Sequence, residues 1–302
     1  MTLHKPLRFG IKTAPRDIEV LREVWQEAES ISVFEHAWVS DHLISFRETQ
    51  AQPCLESWTL LAFLAAETRR LRIGVMVTGN TYRHPAVLAK MATNVDLISR
   101  GRLNFGLGTG WDPIDHQTFG LPFPSPGERV RRFGEACELI HRLWTEPAVT
   151  FEGRYYQVQD AQCEPRPLQK PHPPFVLAGE GEQTLRVIAR YADVWDCSVD
   201  PIEAYRQKSS ILENYCAAIG RDPAAIERSR HISVDPANLQ TTLQETRAFI
   251  EAGATHIIFS VAGPEILHRL AEEIVSPLRA EYGEATLQEK EAVQALESRQ
   301  RE

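Results

Sequence analysis

An α/β fold, a single (β/α)8 TIM barrel, is what this sequence predicts, and three observations carry the reading. Short apolar runs alternate with longer amphipathic segments nearly from end to end, which implies parallel strands joined by crossover helices. Eight such units suit a closed barrel better than an open doubly wound sheet. The alternation breaks once, in an insertion after the fourth strand at about 112–173, and barrels routinely use a length like these 302 residues as one domain. The domain then spans 1–282, followed by a charged tail, 283–302.

The strands read in order as Leu7–Lys12, Ala37–Ser40, Leu71–Val77, Leu103–Leu107, Phe175–Ala178, Val194–Cys197, Ser229–Val234 and His256–Ser260. Between and after them run the amphipathic segments Asp17–Ile31, Trp58–Thr68, Ala86–Ile98, Gln183–Tyr191, Ile202–Ala217, Leu239–Ala252 and Glu265–Leu278. The insertion opens with a polar loop, Asp112–Pro126, and continues as a helix, Gly127–Trp144. A hairpin-like piece, Val149–Val158, turns at Glu152-Gly153 and leads into the proline-laden connector Glu164–Pro174. Proline fixes an extended backbone and cannot donate to a sheet, so the connector is expected to be stiff and wrapped on the surface. A long insertion at this place is expected to build the wall or lid of an active site.

Composition excludes several classes of function. The hydrophobic share of 43% and charged share of 25% are those of an ordinary globular protein. A formal net charge of −8 argues against a nucleic-acid surface, which needs a basic field. No apolar run approaches the ~20 residues that span a bilayer, and the start Met1–Pro6 has no signal-peptide core. Five scattered cysteines without a C-x-x-C pair fit reduced thiols in a cytoplasmic protein. The ten histidines form no H-x-H or H-E-x-x-H set, so no catalytic or structural metal is expected.

In a barrel the active site lies at the C-terminal ends of the strands, so the residues that follow each strand carry the functional reading. Ser40-Asp41-His42 follows the second strand. Asp41 and His42 either hold a ligand hydroxyl and move a proton or form an Asx-turn with a histidine cap. The turn Val77-Thr-Gly-Asn-Thr-Tyr-Arg-His-Pro85 follows the third strand and places Thr78, Gly79 and Asn80 to line a pocket floor; Arg83 and His84 cap structure or face the pocket. The fourth strand ends in Gly106-Leu-Gly-Thr-Gly-Trp111, where glycines at alternate positions clear one face for something flat. Its G-x-G-x-G spacing is not the dinucleotide fingerprint. After the fifth strand, Gly179-Glu180-Gly181 leads into a helix whose N-terminal amides suit a phosphate, while Glu180 and Glu182 would repel one if they faced it. Lys12 ends the first strand and is a weak Schiff-base candidate. Nucleophile elbow and P-loop are both missing, so the pocket is expected to hold a cofactor that does the chemistry.

Taken in order, Trp38-Val-Ser-Asp-His42, Thr78-Gly-Asn-Thr-Tyr-Arg-His-Pro85, Ile98-Ser-Arg-Gly-Arg-Leu103, Gly106–Trp111 and Gly127-Glu-Arg129 resemble the bacterial luciferase-like monooxygenase superfamily. Phe151-Glu-Gly-Arg-Tyr-Tyr156, Pro171-His-Pro-Pro174, Ala189–Asp193 and Gly220-Arg-Asp-Pro223 extend the likeness to about Leu278. It is strongest toward the branch of oxidoreductases that use coenzyme F420. The resemblance implies a flavin-like ring across the strand ends, leaning on a bulge near Val77-Thr78-Gly79 that in relatives often holds a non-proline cis peptide. It implies that Asp41 binds the cofactor and that His42 handles a proton near the reactive carbon. Gly108, Thr109 and Gly110 would border the ring or its ribityl chain, and Gly179, Glu180 and Gly181 the phosphate. It also implies a homodimer acting on a small molecule.

One departure stands out. Where the sugar-phosphate dehydrogenases of the superfamily carry a glutamate, this chain has Trp111, which speaks against that reaction. Three functions follow: an F420-dependent oxidoreductase, a monooxygenase that takes reduced FMN from a partner reductase, or a non-catalytic flavin-binding protein. Intact Asp41-His42 and glycine turns weigh against the third.

Overall fold

The computed structural model describes residues 5–45 and 52–282; the tail 283–302 lies outside them. Its first elements are β1 (Arg8–Thr13), α1 (Ile18–Ser30), β2 (His36–Val39), α2 (Ser57–Glu67), β3 (Arg72–Val75), β4 (Thr78–Gly79), α3 (Pro85–Ile98) and β5 (Leu103–Gly108). The insertion holds α4 (Pro113–Thr118), α5 (Pro126–Thr145) and the antiparallel pair β6 (Val149–Glu152) and β7 (Gln157–Ala161). The second half is β8 (Phe175–Ala178), α6 (Glu182–Tyr191), β9 (Val194–Asp196), α7 (Ile202–Ala218), β10 (Glu227–Ser233), α8 (Leu239–Glu251), β11 (His256–Ser260) and α9 (Leu267–Leu270).

Eight long strands run parallel in the order β3-β2-β1-β11-β10-β9-β8-β5, and pairing of β3 with β5 closes the barrel. The expected (β/α)8 architecture is therefore the observed one. Strand alternation divides the core in two. Phe9, Ile11, Phe105, Phe175 and Phe259 point outward and pack with helix residues such as Trp25, Leu61 and Trp144. Inside, Trp38, Met76, Val176, Val194 and Ile258 form a smaller apolar plug. Helix starts follow capping chemistry. Asp17 accepts from the Glu19 amide at 2.9 Å, and Pro85 opens α3 behind a His84 cap.

Three boundaries differ from the expectation, each for a local reason. The third strand stops at Val75, the Met76–Val77 peptide is cis, and β4 resumes beside β5. At Gly106 an added Cβ would stand 1.9 Å from the Val75 carbonyl oxygen, so that glycine admits the neighbouring backbone. The loop expected at Asp112–Pro126 contains α4, because Asp112 accepts from the Ile114 amide at 2.9 Å and Pro113 takes the first helical position. The last helix widens into a π turn at Ala271–Val275, where the Ser276 hydroxyl donates to the Ala271 carbonyl at 2.8 Å. The proline connector is tied down as expected of a stiff segment: Asp96 accepts from the Leu168 amide at 2.8 Å and from the Gln169 side chain at 2.8 Å.

Candidate active site

The C-terminal ends of β2, β4 and β5 meet the start of the insertion, and two polar clusters fill that corner. In the first, Arg83 donates to both Asp41 oxygens, at 2.8 and 3.2 Å, and also pairs with Glu56. Asp41 is 5% exposed. Burial holds its carboxyl above the ordinary value, against the opposing pull of the Arg83 guanidinium. Asp41 thus braces the turn after β4 against the end of β2. Arg83 is its partner, and His84 is the helix cap.

The second cluster is centred on Asp115 of α4. His42 Nδ1 lies 2.9 Å from Asp115 Oδ2, and the Tyr82 hydroxyl donates to the same oxygen at 2.6 Å. The amides of Leu43 and Ile44 donate to Oδ1, each at 3.0 Å. A carboxylate oxygen accepts, so the imidazole presents Nδ1–H to Asp115 and its second ring nitrogen, Nε2, is the one with a lone pair. Burial and the hydrogen bond to Asp115 push the Tyr82 phenol well above its ordinary value, so it acts only as a donor. Cys54 donates to the His42 carbonyl, and burial with the Asp115 and Asp41 charges pushes its thiol up to about 11, which removes it as a nucleophile at neutral pH. Ligand atoms of His42, Asp112 and Asp115 lie within 4.8 Å of one another, a convergence that sequence spacing did not indicate. Asp115 spends its oxygens on His42, Tyr82 and two amides, and Asp112 caps α4. Trp111 is 61% exposed, and its ring meets the His42 ring edge-on at 5.7 Å.

The turn after β3 offers backbone and one side chain. Val77 joins the inner apolar plug. Thr78 is buried, and its hydroxyl accepts from the Trp58 indole at 3.0 Å. Gly79 packs under the Tyr82 ring. Asn80 is buried; its amide group donates to the Tyr156 hydroxyl at 3.1 Å, while Oδ1 has no hydrogen-bond partner among the described residues. In the glycine run, Gly108 faces Val77, and Gly110, at φ +78°, lies over the Thr81 hydroxyl. Thr109 is partly exposed beside it.

Gly179 and Glu180 are partly exposed and Gly181 is exposed. Gly181 is the N-cap of α6 with no side-chain cap bond, so the first-turn amides are left to solvent or a ligand. A Cβ at Gly181 would meet only Thr184 Oγ1, at an ordinary 3.6 Å. Glu182 stands exposed in the first turn.

Sequence reading placed Asp41, His42 and the glycine turns at one barrel mouth but missed what holds them. Tyr82 lay within the quoted turn 77–85 but was given no role, and Asp115 lay in the stretch expected to be a polar loop.

The luciferase-like monooxygenase family profile matches residues 4–297. An F420-dependent glucose-6-phosphate dehydrogenase of Kineococcus radiotolerans is 32% identical over 89% of this chain and 81% of its own. That of Beutenbergia cavernae is 36% identical over 91% and 98%. Among solved structures, an F420-dependent secondary alcohol dehydrogenase in complex with an F420-acetone adduct superimposes with a TM-score of 0.77 at 19% identity, over 85% of this chain and 93% of that one.

Proposed function

This chain belongs to the luciferase-like monooxygenase family, and from that premise we propose that it is an oxidoreductase using coenzyme F420 with a small organic substrate. The likeness along about nine-tenths of the chain to dehydrogenases named for F420 supports the cofactor. The observation that carries the site is the 2.9 Å contact of His42 with a carboxylate that two backbone amides and a phenol hold in place.

The residues fit such a cofactor. The uncapped first turn of α6, reached through Gly179, Glu180 and Gly181, suits its phosphate. Val77, the backbone of Thr78, Gly79 and Asn80, and Gly108, Thr109 and Gly110 would wall its ring. When bound, the deazaflavin supplies or takes up a hydride. His42 would hold or release the accompanying proton at Nε2, with Asp115 fixing the ring and stabilising its charged form. Asp41 and Arg83 would keep the turn after β4 in place. Trp111 and the exposed Phe119 and Phe123 of the insertion would cover the substrate and keep water away. Because Trp111 is an indole, the proposed substrate is not a sugar phosphate that needs an acid there.

Titration with oxidised F420 and with FMN, followed by fluorescence, tests this. Micromolar F420 binding with no FMN binding is the expected result, and tight FMN binding alone overturns it in favour of an oxygen-activating monooxygenase. The proposal includes a homodimer, a cytoplasmic setting and a separate enzyme that recycles the cofactor. Among the described residues no helix is long and apolar enough to cross a membrane.

A further inference from the structure

Two neighbouring residues of α4 join the insertion to the barrel mouth, and the second of them, His116, has no part in the chemistry above. Its side chain is fully buried. His116 Nδ1 lies 2.5 Å from the Asp112 carbonyl oxygen, and Nε2 lies 2.8 Å from the Thr81 hydroxyl. A carbonyl only accepts, so Nδ1 carries the hydrogen and, in the neutral ring, Nε2 accepts from Thr81. Asp115 and His116 thus grip consecutive residues of the turn after β4. Asp115 accepts from the Tyr82 hydroxyl at 2.6 Å, and His116 holds Thr81.

What those two turn residues touch is the second observation. A Cβ at Gly110 would stand 2.2 Å from Thr81 Oγ1, and one at Gly79 would stand 2.9 Å from the Tyr82 ring. Both glycines belong to the proposed wall of the cofactor ring, and each is pressed by a residue that α4 holds. The Asn80 amide donates to the Gly108 carbonyl at 2.9 Å, so backbone joins the same two turns beside this contact. On the insertion's side, the His116 ring meets the Tyr82 ring at 5.1 Å and the Phe123 ring at 4.5 Å. The Arg129 guanidinium lies 4.2 Å from the centre of the Phe123 ring. Packed groups therefore run without a break from α5 through His116 to the two glycines, and a close-packed interior transmits position rather than absorbing it.

We propose that His116 is a positioning residue for the cofactor: through the Thr81 hydroxyl it fixes the Thr109–Gly110 turn, so the insertion sets how tightly a deazaflavin ring is held. This rests on the F420 reading above, which puts that turn in the ring's wall. No proton moves in this role. His42 keeps the proton chemistry, and His116 contributes one tautomer and one hydrogen bond. A flat ring binds more tightly to a wall already in place, because ordering a loose turn on binding subtracts from the binding free energy. Loss of the Thr81–His116 bond frees the turn and leaves a buried ring nitrogen without a donor. The consequence is weaker cofactor binding.

Two measurements test this role. The first uses cofactor-free protein and imidazole ¹⁵N resonances, with those of His116 assigned by their loss in His116→Gln. Wild type is expected to carry its hydrogen on Nδ1, Thr81→Ala to shift the Nε2 resonance, and Thr81→Ser to leave it in place. A hydrogen on Nε2 alone in wild type, or an unmoved resonance in Thr81→Ala, overturns the proposal. The second is F420 titration followed by fluorescence. Thr81→Ala is expected to raise Kd by about tenfold, the scale of one hydrogen bond, and Thr81→Ser to stay within about threefold of wild type. A packing role would treat alanine and serine alike, since they differ only by the hydroxyl. In a His116→Phe background, Thr81→Ala is expected to add less than about threefold, because the hydroxyl has already lost its partner. A full tenfold there overturns the coupling. Wild type that binds F420 while Thr81→Ala keeps the same Kd overturns the proposal and leaves the cofactor reading intact. Wild type that binds FMN alone overturns the cofactor reading, and the same variants titrated with FMN then judge the wall. Binding of neither overturns both.

Discussion

Two histidine sites at opposite ends of the barrel teach what makes an imidazole useful. At the mouth, His42 sits 2.9 Å from Asp115 and edge-on to an exposed tryptophan. At the floor, His36 opens β2, His256 opens β11, and their rings stack at 3.9 Å within 9° of parallel. The Trp38 indole donates to His36 Nδ1 at 2.8 Å, and His256 Nδ1 lies 3.2 Å from the Ser229 hydroxyl. Burial, with Arg8 and Arg72 nearby, holds both floor imidazoles far below their ordinary value, His256 at about 3. The same side chain is thus a hydrogen-bond partner of a carboxylate at the mouth and a neutral packing plate beside arginines at the floor. At the floor, burial keeps the charge away.

Removing a partner at the mouth is the most forceful way to break that comparison. Arg83→Met would leave the Asp41 carboxylate buried with its two strongest hydrogen bonds gone. The loss expected in urea unfolding is about 3–5 kcal/mol, the usual cost of stranding one member of a buried pair. A change under about 1 kcal/mol would mean that solvent already reaches Asp41 and that the mouth does not depend on pairing.

How much of this was legible in the chain follows from sequence distance. Strand–helix alternation is a local pattern, and it located eight strands and the ends at which ligands gather. Asp41 and His42, the turn at Val77–Asn80 and the glycine run stood out because each ends an apolar run. Their partners did not. His42 and Asp115 are 73 residues apart, Lys12 and His231 are 219 apart, and only barrel closure joins them. The glycines taught a subtler lesson. The space that Gly106 clears is filled by the Val75 carbonyl, which sits where the backbone turns through the cis peptide. A sequence can tell that room is needed but not who occupies it.

Acid sharpens the comparison from the other end. The folded His256 titrates at about 3 against an ordinary 6.5, so below pH 6.5 the unfolded chain takes up a proton that the folded chain refuses. Stability is therefore lost as pH falls from 6.5 toward 3, and His36, shifted the same way, adds to the loss. His256 alone should contribute about 2 kcal/mol of destabilisation between pH 7 and pH 5. Urea midpoints measured at those two pH values should converge by roughly that amount in His256→Gln. An equally steep acid loss in the variant would assign it elsewhere.

Trp111 gives the smallest effect on stability and the finest cut between the two ends. It is 61% exposed and meets His42 only at a ring edge, so Trp111→Ala should move the urea midpoint by less than about 0.5 kcal/mol. Trp38, fully buried between the floor histidines and the plug, has no such freedom. If Trp111 covers the substrate, the same substitution should raise KM for the substrate while F420 affinity stays within threefold. A large loss of stability would mean that Trp111 belongs to the scaffold, and an unchanged KM would take it out of the substrate's wall. Either result would redraw where the mouth ends, because the exposed indole meets the His42 ring edge-on.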